Sequence, residues 1–226
     1  MTVLHLADEG EAADLAAFLS RLLHYDRGAA VRLQAAGTAL AVFGRPPSFE
    51  VLAIRAVRLA KPYENGLDVT LDVTVSAGEL LESVDESAAT AAVPEAVTGP
   101  PWAGVLPPRG GWRPEPGLPA PDALRAMVGA AVGEFRSRTE ELADELRTRA
   151  ELDRIGREIW SRTVGDTGLP VRAVHAAQSL GFLRPSASAG DLALLSLGGW
   201  LRLRTPYGSI AVRRTGRLGM LDVSVR

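Results

Sequence analysis

Leu67-Asp68-Val69-Thr70-Leu71-Asp72-Val73-Thr74-Val75 alternates apolar and polar residues without a slip over its whole length. A strand puts successive side chains on opposite faces, so this pattern predicts one covered face and one wet face in an antiparallel sheet. Asn65-Gly66, immediately before it, is the dipeptide of a tight hairpin turn. Ser76 and Glu79, immediately after it, form a capping box ahead of Leu80, Leu81 and Val84, so a short helix follows.

Toward the N-terminus the chain reads as three more strands: Val31 to Ala35, Leu40 to Phe43 and Phe49 to Leu59. They are divided by Ala36-Gly37 and by Gly44-Arg45-Pro46-Pro47. The third is apolar on both faces, with Val51, Ala53 and Val57 against Leu52, Ile54 and Ala56, which suits a central strand covered twice. Before it, Asp8 and Glu11 form a capping box, and Leu15, Phe18, Leu19 and Leu22 recur at helical spacing, predicting a helix over 8–24. A helix, a four-stranded antiparallel meander and a closing helix thus make an N-terminal α+β lobe, residues 1–92.

Residues 93–121 form a connecting segment of different character, with nine of the 15 prolines together with Trp102 and Trp112. Such a segment cannot be helix or central strand. Two tryptophans are unusual in a flexible linker, so the expectation is an extended segment docked through its indoles. The alternative is a proline-rich ligand for a partner's aromatic groove.

Residues 122–226 are read as a helical region followed by a basic β-hairpin lobe. Leu124, Met127, Val128, Ala131, Val132 and Phe135 form one stripe, and Leu142, Leu146, Leu152, Ile155 and Ile159 a second. The phase slip between Leu146 and Leu152, with a candidate cap at Ser137 and Glu140, predicts two helices or a kink. An unbroken helix would run to ~60 Å and favour a homodimer through residues 122–163. The pairs Glu145–Arg149, Asp153–Arg157 and Glu158–Arg162 read as a solvated face. A further helix is expected over 169–182, stopped by Gly181. Strands follow around the Thr205-Pro206-Tyr207-Gly208 turn, with a last one through Leu221, Val223 and Val225. In that pairing Trp200, Arg202, Arg204 and Arg213 share one exposed face. The fold class is α+β.

The order of strand, helix, meander and helix in the first lobe resembles in outline half of a sliding-clamp domain. This lobe is acidic, however, where the inner surface of a clamp is basic.

Composition narrows the chemistry. There are no cysteines, which removes disulfides and thiolate ligands, and only His5, His24 and His175 offer imidazoles. No apolar run is long enough to span a bilayer, and Met1 leads into an acidic segment rather than a signal sequence, so a cytoplasmic protein without a membrane partner is expected. Lys61 is the single lysine, a bias that points to a high-GC bacterium and weakens arguments from any one arginine.

The net charge of −2 conceals a gradient: 7 basic and 14 acidic groups over residues 1–100, against 11 and 6 over residues 151–226. Such a split points to an anionic partner for the basic end, or to the two ends meeting.

Phosphate-binding glycine loops, nucleophile elbows, paired helix histidines and calcium loops are absent from the sequence. Asp68 and Asp72 share a strand face but lie ~13 Å apart, poorly spaced for a metal. His24-Tyr25-Asp26 gathers a base, a phenol and a carboxylate, yet neighbouring side chains point apart and a helix end suits a hydrogen-bonded histidine. No cofactor and no metal is expected, and the protein reads as non-enzymatic.

The basic C-terminal stretch carries the functional expectation. Between 171 and 226 stand eight arginines against Asp191 and Asp222. A helix followed by a basic two-stranded wing resembles the parts of a winged-helix nucleic-acid binder, although three short helices at regular spacing do not precede it. Trp200, Arg202, Arg204, Tyr207, Arg213 and Arg214 are accordingly the candidate nucleic-acid or partner-binding residues. Trp102 and Trp112 are the candidates for a protein-interaction adaptor. An enzyme using a carboxylate or His24 without a familiar motif is the remaining reading.

Overall fold

The computed structural model describes residues 2–36, 38–60, 71–185 and 188–214. The elements in order are β1 (Val3–His5), α1 (Glu9–Tyr25), β2 (Ala30–Ala36), β3 (Ala39–Gly44), β4 (Leu52–Arg58), β5 (Leu71–Ser76), α2 (Ala77–Glu82), β6 (Val84–Asp85) and β7 (Thr90–Ala92). After them come β8 (Arg113–Glu115), α3 (Pro121–Glu140), α4 (Arg149–Trp160), α5 (Val171–Ser179), β9 (Ala193–Leu197), β10 (Trp200–Thr205) and β11 (Gly208–Arg213). The protein is α+β, built on one eight-stranded antiparallel sheet in the order β5-β2-β3-β4-β11-β10-β9-β8, with a small sheet β1-β7-β6 beside it.

Local signals place the N-terminal elements. The Asp8 carboxylate accepts from the Glu11 amide at 2.8 Å and starts α1, and the Ser76 hydroxyl accepts from the Glu79 amide at 3.4 Å and starts α2. α1 buries Ala12, Leu15, Phe18, Leu19 and Leu22 against the sheet. It comes so close at the end of β3 that a Cβ on Gly44 would stand 2.7 Å from Leu22 Cδ2.

β5 does not extend the β2-β3-β4 meander beyond β4. It returns to pair with β2, Val31 opposite Val75 and Leu33 opposite Val73, which makes a Greek key of the first four sheet strands. The place beside β4 is filled by β11, with Ser209, Ile210 and Ala211 opposite Ile54, Ala53 and Leu52. This join explains why β4 is apolar on both faces: it lies at the middle of the sheet.

On the inner face Val31, Leu33, Val42, Ala53, Leu201, Leu203, Ile210 and Val212 pack under α1, α3 and α5 in the main core. The outer face has a smaller core of Phe43, Leu52, Ile54, Trp200 and Ala211, covered by Trp102, Leu106 and Trp112. The covering residues come from the proline-rich segment, which crosses the sheet as a strap. It leaves the β5 edge, where the Val97 amide donates to the Thr74 carbonyl at 2.9 Å, and reaches the other edge as β8. Arg32 donates to the Ala103 carbonyl beneath it.

Several expectations change. Residues 122–163 do form two helices, but the break lies at 141–148 and the second cap is Thr148, whose hydroxyl accepts from the Glu151 amide at 3.3 Å. Ser137 is interior to α3, and Leu146 is left 60% exposed between the helices. The unbroken helix that motivated a homodimer therefore does not form. The charged stripe is a seam between helices as well as a set of local pairs: Arg138 donates to Glu158 at 2.8 and 2.9 Å, and Arg162 to Glu134 at 2.5 and 2.7 Å. Of the three pairs read from spacing, Glu158–Arg162 is present at 3.5 Å, whereas Asp153 faces Arg149.

α5 ends at Ser179, and Gly181 takes φ 76° with the Arg21 guanidinium packed where a Cβ would lie. The β10–β11 hairpin is no free wing. It is embedded in the sheet, and α5 is buried through Val171, Ala173, Val174, Ala176 and Ala177, so neither element is presented as in a winged helix. β9 and the β1-β7-β6 sheet were not read from the sequence. Asn65-Gly66, Asp68 and the strand through Leu221, Val223 and Val225 lie outside the described residues.

Candidate functional site

The register of β10 and β11 sets Trp200 opposite Arg213, Arg202 opposite Ala211 and Arg204 opposite Ser209. Alternation turns all of them to the outer face, while Leu201, Leu203, Ile210 and Val212 turn inward. That much agrees with the sequence reading, but the face is only partly exposed. Trp200 is 9% exposed in the outer core, and the Arg213 guanidinium lies 4.2 Å above its ring. Arg202 is half-buried with its guanidinium over Trp112 at 5.7 Å, and the Trp112 indole N–H donates to the Pro108 carbonyl at 2.9 Å. Each indole presents a negative π-face to a cation.

Among the described residues no carboxylate lies within ion-pair distance of Arg202, Arg204 or Arg213. The buried Nε of Arg202 has no hydrogen-bond partner. Burial pushes the Arg202 pKa below its ordinary value, and the Arg204 charge beside it pushes the same way.

Beside this row is a cleft of about 500 Å³. Pro101, Trp102 and Val105 of the strap line it, as do Val51 and Leu52, Trp200 and Ala211 to Arg214, and the side chains of Arg45, Glu50 and Arg172. Arg45 comes from the turn after β3 and Arg172 from the first turn of α5, so four guanidinium groups from distant parts of the chain meet here. Arg214 pairs with Glu115 of β8. The Nε of Arg172 makes a long ion-pair contact with Glu50 at 3.8 Å and, buried, has no hydrogen-bond partner among the described residues. Glu50 itself holds a left-handed backbone, φ 51° and ψ 38°, which costs a non-glycine residue about 1–2 kcal/mol.

The remaining candidates are scattered. Tyr207 faces away from the cleft: its ring packs on the main core under the Arg184 guanidinium, 3.6 Å from the ring centre, and its carbonyl accepts from Arg55 at 2.7 Å. Arg184 is neutralised by Asp14 at 2.5 Å, so part of the charge gradient is the two ends of the chain meeting. Asp72 accepts from Arg32 at 2.7 and 3.0 Å and from Gln34 at 3.1 Å, and the Arg32 hydrogen bond holds its carboxyl below the ordinary range. That engagement removes it from the metal reading, and no cluster of three metal-ligating groups occurs among the described residues. His24 is exposed with its ring edge-on to Tyr25, and Asp26 accepts from the Gly28 amide at 3.0 Å rather than facing the histidine.

A second, larger cleft of about 960 Å³ adjoins the first through Glu50 and Arg172. Its wall is a chain of rings in which Tyr25, Phe49, His175 and Trp160 stand 5.2, 5.1 and 4.6 Å apart in succession. Burial pushes the His175 pKa down, which favours the neutral imidazole as one ring of that wall.

Of the residues lining the cleft, the sequence singles out Trp200, Arg213, Arg214 and Trp102 but not Arg45, Glu50 and Arg172. Arg45 stood in a turn already marked by its prolines, whereas nothing local to Glu50 or Arg172 announces that they converge.

The site is thus a basic, indole-flanked cleft at the join of two four-stranded half-sheets. Comparison with known families divides the chain at the strap. Residues 1–104 match the family described as Domain of unknown function (DUF8010), and residues 107–217 match Domain of unknown function (DUF8185). No curated protein matches the chain. No helix among the described residues is long and apolar enough to cross a membrane.

Proposed function

We propose that this is a cytoplasmic, non-enzymatic binding protein that takes single-stranded nucleic acid along the outer face of its sheet and into the adjoining cleft. The observation that carries the reading is the row of Arg202, Arg204 and Arg213, unpaired among the described residues and set against Trp112 and Trp200. Cationic side chains that track a backbone, with aromatic surfaces for bases, are the working parts of single-strand binders. A groove-reading helix is not needed for this, and α5 is buried. The described cleft lining contains one carboxylate and no histidine, hydroxyl or amide side chain, which favours binding over acid–base chemistry.

The test is fluorescence anisotropy with labelled single-stranded and duplex oligonucleotides at rising salt. Expected are single-strand binding at about 50 mM salt, a steep loss as salt rises, and abolition by the combined Arg204→Glu and Arg213→Glu substitutions. Absence of binding to any oligonucleotide at low salt overturns the reading. Recovery of a protein partner whose capture depends on Trp102 would put the adaptor in its place.

A further inference from the structure

Arg172 is the residue in the cleft that the fold leaves least satisfied. Its Nε is shut off from solvent and has no hydrogen-bond partner, its side chain is 19% exposed, and the nearest carboxylate, that of Glu50, stops at 3.8 Å and is itself 74% exposed. A buried donor without a partner is destabilising, and folded proteins seldom keep one without a use for it. Arg45, on the same wall, is exposed and has no ion-pair partner among the described residues, while Arg214 is paired with Glu115 and Arg213, over the Trp200 ring, belongs to the row that takes the strand. Two guanidinium groups therefore remain in this corner, offering forked donors to an oxyanion.

The volume of the cleft falls in the ~300–1,000 Å³ range of small-molecule sites. Trp102 beside it supplies an apolar, π-faced surface of the kind a base stacks on. An internal phosphodiester carries a single charge, whereas a phosphomonoester carries about −1.5 to −2 at neutral pH and three acceptor oxygens.

We propose that the cleft is a seat for a nucleotide phosphomonoester, its phosphate on Arg172 and Arg45 and its base against Trp102. Glu50 is the occupant that the phosphate displaces. This rests on the single-strand reading in one respect only: the phosphate is assigned to the end of a strand whose body runs over Arg202 and Arg204. A free mononucleotide offers the same chemistry, so the experiment separates the two sources.

Labelled oligodeoxyadenylates of about twelve nucleotides, carrying a 5′ phosphate, a 3′ phosphate or hydroxyls at both ends, are titrated by anisotropy, with AMP titrated in parallel by calorimetry. The wild-type protein is expected to bind one phosphorylated strand about tenfold more tightly than the hydroxyl-ended strand. Arg172→Gln is expected to erase that preference, so that the phosphorylated and hydroxyl-ended strands bind this variant with equal affinity, and Glu50→Gln to enlarge it. If Arg172→Gln fails to fold, as read by its melting curve, the exposed Arg45→Gln carries the same test.

Equal affinity of the wild type for all three strands overturns the seat and leaves the strand reading standing. Binding of AMP without binding of any strand supports the seat and removes the strand reading. A phosphoserine peptide that binds as tightly as the phosphorylated strand, with AMP inert, overturns the assignment to a nucleotide.

Discussion

Arg55 and Arg202 stand on opposite faces of the same sheet, and the fold treats the two cations differently. Arg55, 4% exposed, points under α1, where it donates to Glu11 at 2.8 Å and to the Tyr207 carbonyl at 2.7 Å and lies 3.4 Å from Asp14. Arg202 points under the strap, where it meets the face of Trp112 and no carboxylate among the described residues. Both have a buried Nε without a partner, so what separates them is the counter-charge. A buried cation with carboxylates supplied from a distant helix fastens two parts of the chain together. A desolvated cation that meets an indole and no carboxylate among the described residues fastens nothing in that way.

The comparison breaks first at Arg55. Arg55→Ala is expected to lower unfolding free energy by about 3 kcal/mol, since it strands the Glu11 carboxylate, which is 11% exposed. Arg58 at 2.7 Å remains to Glu11, which keeps the loss at the lower end of the range. Urea unfolding measures it, and a loss below about 1 kcal/mol would show that Arg55 is no clasp.

Arg202→Met should behave in the opposite way. Stability is expected to hold within about 1 kcal/mol or to rise, because an unpaired guanidinium leaves a desolvated place. Single-strand affinity should fall, and the salt dependence of binding should flatten by about one counterion. A large stability loss with unchanged binding would make Arg202 structural.

The seam between α3 and α4 offers a solvated contrast to both. The hydrogen bond from Arg138, with its charge behind it, draws the Glu158 carboxyl down from its ordinary 4.5 to about 2. Its folded pKa is depressed, so its contribution is complete above about pH 5 and drains away as the pH falls toward 2. Melting temperatures across that window should decline more gently in Glu158→Gln than in the wild type. An unchanged slope would mean that the seam adds nothing.

Smallest of all is Leu146→Ser, a change at a 60% exposed residue between two helices, which should alter stability by no more than about 0.5 kcal/mol.

How much of this was legible follows the range of the interaction. Asp8 with Glu11 and Ser76 with Glu79 are contacts across three residues, and the sequence announces both helices through them. The two-faced apolar pattern of β4 foretold a central strand but not its neighbour, because β11 lies some 150 positions away and pairing at that distance leaves no local mark. β9 reads Ala-Leu-Leu-Ser-Leu, too short and too evenly apolar for a period to show, and β6 has two residues.

In the site, strand alternation correctly grouped Trp200, Arg202, Arg204 and Arg213, but it could not show that the strap covers them. Tyr207 stands apart from that group because a turn residue inherits no face from the strands that flank it. Arg172 was counted among the basic residues, yet nothing marks it as the second residue of a buried helix opening onto a cleft.

The join of β4 to β11 has a consequence for how this molecule is divided. The two family matches suggest a cut near residue 105, yet each half then ends in a bare strand whose backbone donors and acceptors have lost their mate. Such fragments would satisfy those groups by adding to copies of themselves and precipitate when made singly. Made together, they should find each other and rebuild the sheet.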